Sequence, residues 1–235
     1  MLLPTLAKVL TAVVAEDISR LAEEHQLLPK THFGGHPGRT ATDAVHYLVQ
    51  RIKEAWRKNK VVSILFLDME GAFPNAVTKH LIHNLRKCRI PNAYITFIEK
   101  LLTGRHTKLK FDDFVSESIK ILNRIGQGGP LSMIFYIMYN TDLLDIPENE
   151  EKEDTLGYVD NVALMAVGKD FKETTARLEQ MMTREEGGLQ WSREHNSKFE
   201  VSKSVVLHAS RRMQPDPVND NKPIPLDRPP LVVQG

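Results

Sequence analysis

Val61–Leu67 reads VVSILFL, and Asp68, Met69, Glu70, Gly71, Ala72 and Phe73 follow it directly. A short β-branched and apolar run bounded by Asn59 and Asp68 fits a buried strand better than a helix, which places it at the centre of a sheet. A strand that ends in a carboxylate presents that group at the sheet edge on a rigid backbone, and Asp68 fits this description. Downstream, Thr155–Val159 and Val162–Val167 are two more apolar runs. They read as a hairpin with Asp160 and Asn161 at the turn. With that hairpin beside the first strand, Asp68 and Asp160 converge although they are distant in sequence, and two hard oxygen ligands can share divalent ions. Taken singly, an aspartate at a turn is more often a turn former than a ligand.

The third informative string is Arg124–Ser132, RIGQGGPLS. Gly126, Gln127, Gly128 and Gly129 let backbone come close to a nucleotide or a nucleic-acid strand. An ordinary turn before a helix beginning near Pro130 is the alternative.

Around these strings the outline is α+β. Leu6, Val9, Leu10, Val13, Ile18 and Leu21 recur at helical spacing, so residues 5–25 read as an amphipathic helix. The glycine- and proline-rich PKTHFGGHPGR at Pro29–Arg39 is a loop, and a second helix follows through Trp56, capped by Thr40 or Thr42. Further helices are expected at 76–88, 92–102, 131–144 and 169–184, the last ended by Gly187 and Gly188. Thr107–Phe111 and Val115–Leu122 read as a hairpin around Asp112 and Asp113, and Phe199–His208 as a strand. The six prolines of Met213–Pro230 mark a surface segment, after which LVVQG at 231–235 resembles the start of a new strand.

With 235 residues and 41% apolar content, the chain is long enough for a real core. Cys88 is the only cysteine, which rules out an internal disulfide or a cysteine-rich zinc site and makes a reducing compartment the simpler assumption. No apolar stretch approaches the roughly 20 residues that cross a bilayer, so no membrane partner is expected. The formal charge of +1 hides an uneven distribution, because ENEEKED at Glu148–Asp154 holds five acids and one lysine and leaves the remainder basic. Clusters at Arg57, Lys58 and Lys60, at Arg86, Lys87 and Arg89, and at Lys108 and Lys110 suit phosphates, or are simply solvated faces.

In order and spacing, these strings resemble the reverse transcriptase of non-LTR (LINE-type) retrotransposons over almost the whole chain. FLDMEGAF resembles that family's motif A, GQGGPLS its motif B, YVDN its motif C and HNSKFEVSKS the region of its motif D, while FGGHPGRTATDA resembles its fingers motif. The resemblance implies a right-hand polymerase palm, an antiparallel sheet with packed helices, joined to helical fingers elements. It divides the chain into fingers-like helices and loop (1–60), palm with inserted helices and hairpin (61–208), and a proline-rich linker (209–235) towards a primer grip and thumb that the chain lacks. Asp68 and Asp160 become metal ligands helped by the Met69 carbonyl, for two magnesium ions, with manganese as the alternative. Phe73 crowds the ribose 2′-position, its other reading being a core phenylalanine. Gln127, Gly128 and Pro130 shape the nucleotide pocket, Lys203 stands near the pyrophosphate, and Arg39 faces template or triphosphate, or makes a surface salt bridge.

The implied partners are an RNA template, a DNA primer, deoxynucleoside triphosphates and other regions of a longer retrotransposon polyprotein. The implied location is intracellular, with nucleus and cytoplasm not distinguished. Asn161 departs from the pattern, since the family usually has a second aspartate there. An amide offers one carbonyl oxygen but no negative charge, so a catalytically degenerate copy that keeps at most nucleic-acid binding is the alternative function. An RNA-templated RNA polymerase shares the palm arrangement, and Phe73 argues against it.

Overall fold

The structure, a computed structural model, describes residues 5–35, 37–121, 125–126, 128–215 and 223–233. In chain order the elements are α1 (Thr5–Glu24), α2 (Ala41–Arg57), β1 (Val61–Leu67), β2 (Met69–Glu70), α3 (Ala72–Asn75), α4 (Thr78–Lys87) and α5 (Asn92–Leu102). Four two-residue strands follow, β3 (His106–Thr107), β4 (Lys110–Phe111), β5 (Phe114–Val115) and β6 (Ile119–Lys120). The remainder comprises α6 (Ser132–Tyr139), β7 (Glu153–Tyr158), β8 (Asn161–Gly168), α7 (Phe171–Thr183), α8 (Gly188–Glu194), β9 (Lys198–Phe199), β10 (Val205–Ala209), β11 (Met213–Gln214) and β12 (Ile224–Pro225). The class is α+β, as the apolar patterning predicts.

Two compact units share these elements: Met1–Lys30, Gly71–Thr141 and His195–Ser197 form one, and Thr31–Glu70, Asp142–Glu194 and Lys198–Gly235 the other. The second unit is built on a four-stranded antiparallel sheet of order β10-β1-β8-β7. β1 is central, and five of its residues, Val61, Val62, Ile64, Leu65 and Leu67, are buried apolar side chains. A near-continuous apolar run is what a strand covered on both faces requires. One face packs on α2 through Ala44, Leu48 and Ile52, and α7 also packs on β1 and β8. Asp170 caps α7, its carboxylate accepting from the Glu173 amide at 2.8 Å. Thr40 and Asp43 make a reciprocal capping box at the start of α2.

In the first unit, α6 is almost wholly buried from Ile134 to Tyr139 and packs against α1, α3 and α4. The Asn84 side chain, 2% exposed, donates to the carbonyls of Met138 and Tyr139 and so satisfies the open C-terminal end of α6.

Several expectations are corrected. The helix expected at 131–144 stops at Tyr139 and continues as a 3₁₀ turn over Thr141–Asp145, where Leu143 and Leu144 remain buried and prolong the apolar pattern. The helix expected at 76–88 is α4, Thr78–Lys87, and a separate short helix, α3, precedes it at Ala72–Asn75. Gly187 and Gly188 do not merely end α7, since Gly188 opens α8. The strand expected at 199–208 is broken by a 3₁₀ turn, Val201–Lys203. The hairpin around Asp112 and Asp113 forms as two short ladders, and its expected end at Leu122 lies outside the described residues. Residues 231–233 form no strand, and 234–235 lie outside the described residues.

Candidate active site

β1 and β8 run antiparallel with Leu67 paired to Val162, so Asp68 leaves β1 at the end where Asp160 enters β8. The two aspartates therefore stand at the same end of the two adjoining central strands. Three interactions fix the chain beyond Asp68. Its carbonyl accepts from the Glu200 amide at 2.8 Å, Met69 pairs with Phe199, and Glu70 pairs with Lys198. The 3₁₀ turn that follows carries Lys203 back, and its ammonium donates to Asp68 Oδ2 at 2.9 Å. That hydrogen bond, reinforced by the carboxylate charge, raises the Lys203 pKa above its ordinary value.

Asp160 sits on the two-residue tip of the β7–β8 hairpin. The tip residues are Val159 and Asp160, because Tyr158 pairs with Asn161 and draws the asparagine into β8. This corrects the expectation that Asp160 and Asn161 form the turn. Val159 takes a φ of +57°, which is strained for a β-branched side chain and costs about 1–3 kcal/mol. Strain of that kind persists where the surroundings over-determine a conformation, and here they do. Asn161 is exposed, and its amide Nδ2 donates to Asp160 Oδ1 at 3.3 Å.

The glycine-rich loop after Pro29 supplies those surroundings, which sequence reasoning missed. The Phe33 amide donates to the Gly157 carbonyl at 2.8 Å and the Gly157 amide to the Thr31 carbonyl at 3.0 Å, so the loop runs along the outer edge of β7. A Cβ on Gly157 would lie 2.7 Å from the His32 ring, and one on Gly34 would lie 2.6 Å from the Val159 amide nitrogen. Both contacts need glycine for room. A lone glycine inside an apolar strand was the available sign. Arg39 is folded back onto this loop, donating to the His32 carbonyl at 2.7 Å with its guanidinium 5.8 Å from the Phe33 ring centre.

Beside Asp68, Lys203 and Asn161 lies a hollow of about 280 Å³ whose apolar wall includes Leu48, Phe66 and Tyr158.

The remaining candidate residues belong to the other unit. Phe73 is half-buried, with its ring 4.9 Å from that of Tyr136 and its carbonyl accepting from the Ile125 amide at 3.0 Å. Gly128 and Pro130 are exposed, and Gly128 has a φ of +78°, a conformation that favours glycine. Ser132 braces the loop, accepting from the Gly129 amide at 3.1 Å and donating to the Gly126 carbonyl. Gln127 lies outside the described residues. The structure thus gathers Asp68, Asp160, Asn161 and Lys203 in one unit and Phe73, Gly128 and Pro130 in the other.

A family model described as reverse transcriptase (RNA-dependent DNA polymerase) matches residues 1–219. The chain is 27% identical over 143 residues to a probable RNA-directed DNA polymerase from transposon X-element of Drosophila melanogaster, covering 60% of this chain and 16% of that protein. It is 22% identical over 215 residues to the RNA-directed DNA polymerase from mobile element jockey of the same species, covering 90% and 23%. The chain therefore spans less than a quarter of the length of these relatives. Among solved structures, telomerase from Candida tropicalis in complex with the TWJ fragment of telomeric RNA superposes with a TM-score of 0.64 at 12% identity, covering 88% of this chain and 34% of that one. That likeness extends to the fold alone. The chain belongs to the reverse transcriptase (RNA-dependent DNA polymerase) family.

Proposed function

We propose that this chain is the fingers-and-palm portion of a non-LTR retrotransposon reverse transcriptase, extending a DNA primer on an RNA template with deoxynucleoside triphosphates. Residues 1–60 serve as fingers, 61–208 as palm, and 209–235 as the connection onward. The observation that carries the reading is the Leu67–Val162 register, which sets Asp68 and Asp160 at one end of neighbouring buried strands.

The donor set fits divalent magnesium. Both carboxylates are partly exposed at strand ends, and magnesium takes one or two carboxylates while keeping waters and substrate phosphate oxygens as its other ligands. Asp68, Asp160 and the Met69 carbonyl would hold the ions, which when bound lower the pKa of the primer hydroxyl and neutralise charge on the phosphates. The protein's part is positioning: the paired strands keep both carboxylates in place, and the loop on β7 holds the strained Val159 tip. Lys203, kept protonated by Asp68, carries a positive charge and a proton to the departing pyrophosphate. Phe73 selects the sugar, Gly128 and Pro130 shape the nucleotide pocket together with Gln127, and Arg39 meets the template strand from its loop.

Asn161 supports a second reading, a silent copy, because its amide donates to an Asp160 oxygen that a metal would need. Primer extension on an RNA template with magnesium separates the two. Incorporation that disappears in Asp68→Asn and Asp160→Asn supports the polymerase, and no product from the chain or from Asn161→Asp, with RNA binding retained, supports the silent copy.

A further inference from the structure

Residues 106–120, between α5 and α6, fold as a β-ribbon whose side chains are mostly exposed. Its ladders pair His106 with Lys120, Thr107 with Ile119, Lys110 with Val115 and Phe111 with Phe114, around a tip at Asp112 and Asp113. The Ser116 amide donates to the Leu109 carbonyl at 2.9 Å and extends the outer ladder, while the register slips by one residue between the two ladders. Cross-strand partners share a face and successive residues alternate, so Leu109, Phe111 and Phe114 lie on one face with Thr107 and its partner Ile119, whereas His106, Lys108, Lys110, Lys120 and Val115 lie on the other.

All four apolar residues of the first face are open to solvent. Phe111 is 64% exposed, Phe114 63%, Leu109 48% and Ile119 46%. Two adjacent bare phenylalanines are a contact surface rather than surplus core, and a two-stranded ribbon with no covered face is marginally stable on its own. The two charged edges differ in kind. Acidic side chains sit at the tip and at Glu117, while the cations line the stem, ending near Arg105 at the base.

We propose that this ribbon is a binding arm for single-stranded nucleic acid, with an unpaired base stacked on the Phe111–Phe114 pair and the flanking phosphates met by Lys108, Lys110 and Lys120. Sequence-tolerant capture of a strand needs an aromatic platform for a base face and cations for the backbone, and this ribbon places both within one short hairpin. Lysine stems are long enough to reach around a two-stranded ribbon to a backbone that passes its edge. An apolar protein partner would use the phenylalanines and leave the lysine row without a role. The proposal rests on the polymerase reading only for the identity of its partner.

The test is equilibrium binding of a fluorescein-labelled single-stranded RNA to the full chain by anisotropy across a salt series. Phe111→Ala/Phe114→Ala should weaken binding roughly ten- to a hundredfold. Lys108→Gln/Lys110→Gln/Lys120→Gln should lower the slope of log affinity against log salt by about 2. Phe111→Trp keeps the ribbon intact, and its added fluorescence should be quenched by the RNA. Affinity within about twofold of the unaltered chain in both multiple variants, with no quenching, would overturn the arm. So would a change of oligomeric state in light scattering without a change in RNA binding, which would mark a protein-docking face. A chain that extends no primer yet loses RNA binding in these variants refutes the polymerase reading and leaves the arm standing. Normal extension with unaltered binding does the reverse.

Discussion

Lys203 Nζ lies 2.9 Å from Asp68 Oδ2, so the cation at the proposed site is the protein's own. The lysine side chain is 67% exposed and the aspartate 27%, which makes the pair a weak contributor to folding. Its importance lies in competition: the ammonium holds an oxygen that a metal would otherwise bind. Lys203→Met should leave the thermal melt essentially unchanged from the parent. The magnesium concentration for half-maximal primer extension should fall, while the maximal rate drops by roughly a hundredfold through loss of the acid. A variant that loses rate with no change in magnesium dependence would assign Lys203 to the substrate alone.

Asn161→Asp replaces the amide that donates to Asp160 Oδ1 with a second carboxylate. Without metal, two adjoining negative charges at an exposed tip should lower stability slightly, by less than about 1 kcal/mol. With magnesium the sign should reverse, giving a larger rise in melting temperature than the parent shows. Primer extension should increase about ten- to a hundredfold, the equivalent of about 1.4 to 3 kcal/mol of barrier. Thermal melts across a magnesium series and extension rates report these effects separately.

Glu153 is 3% exposed at the start of β7, where Arg184 approaches its two oxygens at 2.8 and 3.3 Å and Arg177 lies at 3.6 Å. Burial pushes its pKa upward, but Arg184, the Glu148 amide and Arg177 outweigh it and hold the carboxyl below the ordinary 4.5. A depressed carboxyl pKa contributes stability that is present above about 4.5 and is lost as pH falls through the folded-state value. Arg184→Met removes the nearest cation from the buried carboxylate, leaving it Arg177 and the Glu148 amide, and should cost about 2 kcal/mol near neutral pH, most of which returns on acidification or in Arg184→Met/Glu153→Gln. Urea midpoints at pH 7 and pH 4.5 give the comparison.

The bounds of β1 were legible because a central strand must be apolar on both faces, and VVSILFL is bounded by polar residues at each end. The hairpin bearing Asp160 was legible from its two apolar runs, but its turn shifted by one residue because a valine with positive φ gives no compositional warning. The same limit hid α8, where paired glycines read as a stop although Gly188 starts a new helix. Most of the site's support was beyond local pattern. The lysine–aspartate contact is made from a 3₁₀ turn that interrupts an apparently continuous strand, and the loop on β7 is held by backbone bonds that any residue could make. Only Gly34 and Gly157, which must lack a Cβ, left a trace in the sequence.

Ser63 and His208 face each other across β1 and β10, with Ser63 Oγ 2.7 Å from His208 Nδ1 and 2.6 Å from Thr174 Oγ1. The imidazole is half-buried with its ring 4.8 Å from that of Phe171. Burial pulls its pKa below 6.5, Arg228 adds to the effect, and a backbone contact with Pro229 opposes it. The unfolded chain therefore takes up a proton that the folded chain resists, so the contribution of His208 is full above about pH 6.5 and declines as pH falls through the lower folded-state value. His208→Gln retains a hydrogen-bonding group opposite Ser63 but cannot titrate. The parent should lose more stability between pH 7.5 and pH 5.5 than the variant loses over the same interval. An identical decline in both proteins would move the acid sensitivity to the other histidines.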